Sequence, residues 1–350
     1  MRVTLARRSV QPVAQEQDDQ PDSVGTVLVA LAANAGIAVA KGVAAVVSGS
    51  AAMASETAHS VADTANEVIL LVALRRSDRP PDRDHPFGYG PERFFWSFVA
   101  AVSIFVSGAV FAAIEGIDTL LGPAEESAGL VISSVVLALA FVLEGISWVR
   151  ATRQVRSEAR QHDQTVRQLL RSTDDPTVKT VFYEDSAALV GVVLAFAGIW
   201  LHHLTGSSVP DAVASLLIAA LLAVVAFFLA RTNKNLLVGS QADPRLIRAV
   251  GAWLASQPHV DALVDLMTQR IGTDRVLVCA RLDFADDLDA ATLEVVALDM
   301  DRELRVVFPD VAEVFLEPVP RHDAQLRSEV RARYGDRVAA ALAEAGREPR

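Results

Sequence analysis

The segment Ser55–Glu67 holds four side chains able to grip a divalent cation. His59 and Asp63 stand four residues apart, so a helix puts them on one face, one above the other. Asn66 and Glu56 fall close to the same stripe. An imidazole, carboxylates and an amide oxygen suit a divalent transition metal. The stripe lies inside an apolar run long enough to cross a bilayer, where ionisable groups are expensive and mark ion pathways. A second acidic pair, Glu184-Asp185, opens a later apolar run. Neighbours on a helix point about 100° apart, so only one of the two faces a shared ion. Asp185 is the expected ligand, on a face with Ala188 and Gly191, and Glu184 the expected proton carrier, gate or outer partner. His59, Asp63 and Asp185 supply N, O and O. Asn66, Glu184 or water completes a four-coordinate shell. Zinc fits this set first, and Mn²⁺, Fe²⁺ and Co²⁺ accept the same donors. Cys279 is the single cysteine, which leaves no thiolate site for copper(I) and no disulfide framework.

Such a site binds metal only when deprotonated, so metal entry expels protons and proton return expels metal. The chain lacks the G-x-x-x-x-G-K-[ST] nucleotide motif. An ion gradient, with protons as the counter-ion, is therefore the expected driving force. The expected motion is a rocking of helices about a midplane site.

The elements that must position these residues are apolar helices. Mean hydropathy is +0.31, and 51% of the 350 residues are hydrophobic. Those values suit a membrane part joined to a soluble part. Residues 1–23 read as a flexible cytoplasmic tail without the apolar core of a signal peptide. Within 24–235, six segments approach the ~20 residues of a spanning helix: Val24–Val47, Ala51–Leu74, Phe94–Leu121, Gly129–Val149, Val181–Leu204 and Val209–Ala230. The turn Ser48-Gly49-Ser50 makes the first two an antiparallel hairpin. Arg75, Arg76, Arg79, Arg83 and Arg93 follow the second segment. Arg150, Arg153, Arg156, Arg160, Arg167, Arg171 and Lys179 follow the fourth, and Arg231 and Lys234 end the sixth. The alternate loops carry no Lys or Arg, so both termini should be cytoplasmic, in a multi-pass protein of the cell membrane. Small residues recur every four positions at Ala32, Gly36 and Ala40 and at Ala187, Gly191 and Ala195. Such faces let helices pack closely.

Residues 241–320 read as a soluble α+β unit in the order α-β-β-α-β. Asp243-Pro244 opens a helix to about Gln257. Strands Leu263–Ile271 and Arg275–Phe284 follow, then a helix from Asp289 to Val307 and a strand Glu313–Glu317. Residues 321–350 read as a solvated polar helix. A net charge of −11 argues against nucleic acid as a partner.

Three motifs together carry a family resemblance: His59-Ser60-x-x-Asp63, the loop His85-Pro86-Phe87-Gly88-Tyr89-Gly90, and Asp211-Ala212-Val213-Ala214-Ser215. They resemble the cation diffusion facilitator family of metal transporters. Asp63-Thr64-Ala65-Asn66 and Gly90-Pro91-Glu92-Arg93-Phe94-Phe95-Trp96 resemble its zinc transporter nine branch. The resemblance covers about Val24 to Val319. It implies a homodimeric metal–proton antiporter with six spanning helices and a cytoplasmic, ferredoxin-like αββαβ domain that dimerises. Two departures stand out. Val181 occupies the position, four before Asp185, where the family usually carries a His or Asp ligand, so Asn66 becomes the natural substitute. In the cytoplasmic loop Asp82 and His85 match a second metal site of some members, but Tyr89 stands in place of its second His, which leaves a weak loop site.

The expected function is proton-coupled efflux of a divalent transition metal, zinc first, by a protein that is not an enzyme. The alternative is a membrane-integral, metal-dependent hydrolase, for which the sequence shows neither a second His in an H-E-x-x-H spacing nor an evident nucleophile. Lys41 is expected to pair with Glu56 or Glu67, and Glu115 and Glu144 to be structural partners in the bundle. His202 and His203 fall at the outer end of the fifth helix.

Overall fold

The computed structural model describes residues 24–122, 129–161, 165–166 and 176–335. The tail 1–23, Arg167, Arg171 and the end of the chain beyond 335 lie outside the described residues. The apolar part is a bundle of long helices: α1 Val24–Ser48, α2 Ala51–Ser77, α3 Pro91–Ser103 running through a π-helical stretch Ile104–Val110 into α4 Phe111–Leu121, α5 Leu130–Gln161, α6 Pro176–Thr205 and α7 Val209–Val238. Gly49 turns α1 into α2 at φ 64°, a left-handed conformation that a side chain would resist. Pro91 and Pro210 stand in the first turns of α3 and α7, where the missing N–H costs nothing.

Among the described residues five stretches are long and apolar enough to cross a membrane: Leu31–Ser48, Pro91–Leu121, Leu130–Ser157, Phe182–Thr205 and Val209–Val238. The expected sixth, α2, has the length, 27 residues, but not the hydropathy. Its polar side chains are turned inward instead: Glu56, His59, Ser60 and Asn66 are buried. The bundle core is correspondingly built of small residues, with Ala52, Ala62, Ala101, Ala112, Ala195 and Ala214 buried at helix crossings. Ala187, Gly191 and Ala195 of the small-residue stripe on α6 are buried, but the stripe on α1 is not buried against another helix among the described residues. Ala32 and Gly36 are exposed, and Ala38, Lys41, Ala44 and Ser48 face inward. The reason is Lys41, whose ammonium must reach carboxylates and so sets the rotation of α1.

The small domain follows as α8 Pro244–Ala255, β1 Val260–Gly272, β2 Arg275–Phe284, α9 Ala290–Val307 and β3 Val311–Pro318. Asp243, Asp289 and Asp323 cap their helices by accepting from Arg245, Thr292 and Leu326 backbone N–H groups. The sheet order is β1-β2-β3, antiparallel then parallel. Pairing with β2 extends both neighbours beyond their apolar cores, to Val260 opposite Phe284 and to Val311 opposite Val276. Alternate β2 residues Val276, Val278, Ala280 and Leu282 meet Val250 and Leu254 of α8 and Met300 and Leu304 of α9. The half-buried Cys279 lies on the other face of β2.

That face is covered in part by α10, Ala324–Tyr334, which corrects the reading of the tail as a purely solvated helix. Val330 is buried. Arg333 Nη1 donates to the buried Asp265 at 2.6 Å and the Tyr334 hydroxyl to the Leu266 carbonyl at 3.0 Å. Docking on the strand gives Asp265 a charged partner that burial requires.

The β1–β2 hairpin touches the loop that leads into α3. Arg93 Nη1 donates to Thr273 Oγ1 at 3.0 Å. A Cβ on Gly90 would fall on the Ile271 carbonyl and lie 2.8 Å from Gly272 Cα. Gly90→Ala must therefore push loop and hairpin apart, at about 1–3 kcal/mol, the usual cost of overpacking. Hydrogen exchange should quicken at both residues 85–93 and 270–276, and unchanged exchange would show that the two are not locked.

Candidate metal centre

Polar contacts at its N-terminal end fix α2. Asp211 of α7 accepts from Ser50 Oγ at 2.7 Å and from the Ala51 N–H at 2.7 Å, while Ser50 Oγ accepts from the Met53 N–H at 3.1 Å. One turn on, Ser55 Oγ meets Ser215 Oγ at 2.6 Å, and Ser215 Oγ donates to the Ala112 carbonyl at 2.7 Å. Every buried backbone or hydroxyl donor here has a partner, as a lipid-embedded site demands. His202 is buried near this end, and His203 is exposed.

Farther along α2 the inward stripe opens on a cavity of about 440 Å³. His59 Nε2 lies 2.9 Å from Asp63 Oδ2. The imidazole is 2% exposed and the carboxylate 27%, so the pair presents its carboxylate side to the cavity. Asn34 of α1, Ser60, Asp63, Asn66 and Glu67 of α2, Glu144, Ser147 and Arg150 of α5, and Glu184 and Asp185 of α6 line the walls. Each potential ligand already has a hydrogen-bond partner. Ser147 Oγ donates to Asp185 Oδ2 at 2.9 Å, and Asn66 Nδ2 donates to Glu184 Oε1 at 2.6 Å. Asn34 Nδ2 donates to Glu67. Among His59 and the cavity-lining residues, His59 Nδ1, Asn66 Oδ1, Glu67 Oε2 and Glu144 Oε2 are buried without a hydrogen-bond partner among the described residues.

Asp63, Asp185, Asn66 and Glu184 therefore share one cavity, with His59 behind Asp63. Among the described residues no three His, Cys, Asp or Glu side chains converge tightly enough to hold an ion in this conformation. Glu56 lies apart from the cavity, in a cluster around Lys41. The Lys41 ammonium donates at 2.9 Å to each of Glu56 Oε2, Ser60 Oγ and Glu144 Oε1. Glu56 was one of the two partners the sequence offered for Lys41. Glu67, the other, is held by Asn34 instead. Asn34, Ser147 and Arg150 carry no motif, and only their helical register against Asp63 and Asp185 could have marked them.

The loop before α3 closes on itself. Asp82 Oδ1 accepts from the Asp84 and His85 N–H groups at 3.0 and 2.8 Å, and Oδ2 accepts from the Tyr89 hydroxyl at 2.6 Å. The His85 and Tyr89 rings stack with centroids 4.1 Å apart, and His85 Nδ1 is 3.6 Å from Asp82. Both Asp82 oxygens are thus engaged within the loop, one of them by Tyr89. The Tyr89 hydrogen bond, followed by that of the His85 N–H, holds the Asp82 carboxyl below the usual carboxylate range. The same bond pushes the Tyr89 phenol up.

Residues 27–238 match the family profile of the cation efflux transmembrane domain. The chain is 31% identical over 277 residues to metal tolerance protein C4 of Arabidopsis thaliana, covering 79% of this chain and 58% of that protein. It is 34% identical over 219 residues to the mitochondrial proton-coupled zinc antiporter SLC30A9 of Xenopus laevis, covering 63% of this chain and 39% of that one. To the manganese efflux system protein MneP of Bacillus subtilis it is 25% identical over 260 residues, covering 72% and 81%. The chain spans less than two thirds of the length of the first two relatives.

The loop geometry sets a pH window. A lowered Asp82 pKa stabilises the loop above the ordinary carboxylate value and is lost as pH falls through the folded value. A raised Tyr89 pKa stabilises it below the ordinary phenol value and is lost as pH rises through the folded one. The bond should therefore count between about pH 4 and pH 10. Tyr89→Phe should speed hydrogen exchange of residues 82–89 at pH 7, with the difference shrinking as pH falls below the ordinary carboxylate value. Asp82→Asn should speed the same residues and abolish the effect of Tyr89→Phe; an undiminished Tyr89→Phe effect in the Asp82→Asn background would show that the carboxylate is not its source.

Proposed function

The chain belongs to the cation efflux family, a family of membrane metal transporters, and from that premise we propose that it exchanges a divalent transition metal, zinc first, for protons. His59, Asp63 and Asp185 grip the ion, and Asn66 or Glu184 completes the shell. The relatives' names are those of antiporters and efflux proteins, which sets the hydrolase alternative aside.

The observation that carries this reading is the His59–Asp63 pair at 2.9 Å on the wall of a cavity that also holds Asp185, Asn66 and Glu184. A metal ligand must give up its proton. An arriving cation would displace the Nε2 proton of a doubly protonated His59, which leaves as H⁺, and the ring would then bind as the neutral imidazole with Nδ1–H retained. Asp185 would turn from Ser147, and Asn66 would exchange Glu184 for the ion, since its Oδ1 is buried and unpaired. Asp63 and Asp185 stand on different helices, so a grip on one ion draws α2 and α6 together. Proton return to His59–Asp63 reverses the exchange, and the helices rock open on the other side.

The choice of metal rests on donor chemistry. One relative is named for zinc and another for manganese. An imidazole in the shell favours zinc, whereas manganese prefers carboxylate, carbonyl and water oxygens. Fe²⁺ and Co²⁺ remain acceptable to the same donors. In this reading α2 crosses the bilayer as the sixth span, its charges shielded by neighbouring helices. The Arg-rich loops set both termini in the cytoplasm, the membrane is the cell membrane, and two copies assemble through the small domain. Residues 24–235 then form the transport unit and 241–320 the dimerising one.

Purified chain in proteoliposomes should take up Zn²⁺ when a pH gradient is imposed. Asp63→Ala or Asp185→Ala should each cut that uptake by more than the roughly 10–100-fold that loss of an outer-shell partner costs, with an unchanged size-exclusion profile. Wild-type uptake in both variants would remove the two carboxylates from the site.

A further inference from the structure

The Lys41 cluster stands beside the transport cavity and is not used by the exchange above. Its ammonium is fully buried, and all three N–H donors are taken at 2.9 Å, by Glu56 and Ser60 of α2 and Glu144 of α5. One positive charge thus faces two carboxylates, and the cluster keeps a net charge of −1 if both are ionised. The second oxygen of each, Glu56 Oε1 and Glu144 Oε2, is buried with no hydrogen-bond partner among the described residues. Glu56 Oε1 abuts Gly191 of α6 so closely that any Cβ there would collide with it. Glu56 is also fully buried and one helical turn from His59, whose Nδ1 is likewise unpaired. Glu144 reaches the cavity wall with Asp63 and Asp185. Two carboxylates, a hydroxyl and buried acceptors without donors are the makings of a divalent-cation site. An ammonium sits in it.

We propose that Lys41 is a specificity-determining residue, a tethered cation that fills the Glu56–Glu144 pair and so bars a second divalent ion from binding beside the transport site. The inference rests on the transport reading above. Lys41 limits this half of the bundle to the single ion held by His59, Asp63 and Asp185. It also keeps that ion from falling into a neighbouring trap from which protons could not expel it. Without the ammonium, the pair carries −2, the charge a dication neutralises.

Equilibrium dialysis of the full chain in detergent against Zn²⁺ tests this directly. Lys41→Gln should hold one more Zn²⁺ per chain than wild type, and Lys41→Gln/Glu144→Gln should return to the wild-type count. An unchanged or lower count in Lys41→Gln overturns the proposal, because a merely structural ion pair would add no site. Should Lys41→Gln be monodisperse only with metal, rescue by Zn²⁺ but not by Mg²⁺ supports the proposal. Failure of Zn²⁺ to rescue it, while the double variant folds, overturns it. The wild-type count is read separately: a wild type that holds no Zn²⁺ sinks the transport reading, whereas a binding wild type with no gain in Lys41→Gln sinks only this one.

Discussion

Charge buried among apolar helices is the constraint on which this structure depends. A lone ion in hydrocarbon costs several kcal/mol or more, so each polar group of α2 has to find a partner inside the bundle. Glu56 takes Lys41, His59 takes Asp63, and Asn66 takes Glu184. The partners come from α1, α6 and α2 itself. Pairing therefore does what the hydrophobic effect cannot do between helices in lipid, and fixes which faces meet.

The pairs are of two kinds, and the division runs along α2. At its N-terminal end, Asp211, Ser50, Ser55 and Ser215 satisfy one another and the backbone completely. Such a network is rigid, since opening it exposes groups with no other partner. Past His59 the contacts are single hydrogen bonds across a cavity, Ser147 to Asp185 and Asn66 to Glu184. Those can be traded one for one against bonds to a cation. The helices are thus held by a closed network at one end of α2 and by single, exchangeable bonds around the cavity, where the ion is proposed to bind. The small domain touches the bundle at the loop entering α3, where Gly90 admits the β1–β2 hairpin.

Much of this was legible in the sequence, because the signals are local. The four-residue spacing of His59 and Asp63 put them on one face, and the apolar runs gave the helix starts to within about five residues, whereas α5 and α7 run on beyond their apolar stretches to Gln161 and Val238, where hydropathy gives no signal. Asp243-Pro244 marked a capped helix, and Gly272-Thr273-Asp274 a hairpin. What could not be read depends on partners distant in the chain. Lys41 meets Glu144, 103 positions away, and nothing near Lys41 announces it. The same pairing turned Ala32 and Gly36 outward against the small-residue pattern. The tail helix looked solvated because its anchors, Arg333 and Tyr334, are polar; only the buried Asp265 on β1 makes sense of them.

The central claim is that one imidazole and carboxylates drawn from two helices hold the transported ion. X-ray absorption at the zinc edge of the metal-loaded chain reads that shell most directly. The account predicts one imidazole nitrogen near 2.0–2.1 Å with the remaining ligands oxygen at roughly 2.0–2.2 Å, and loss of the imidazole signal in His59→Ala. A shell of several imidazoles, a sulfur near 2.3 Å, or an imidazole signal that survives His59→Ala would contradict it.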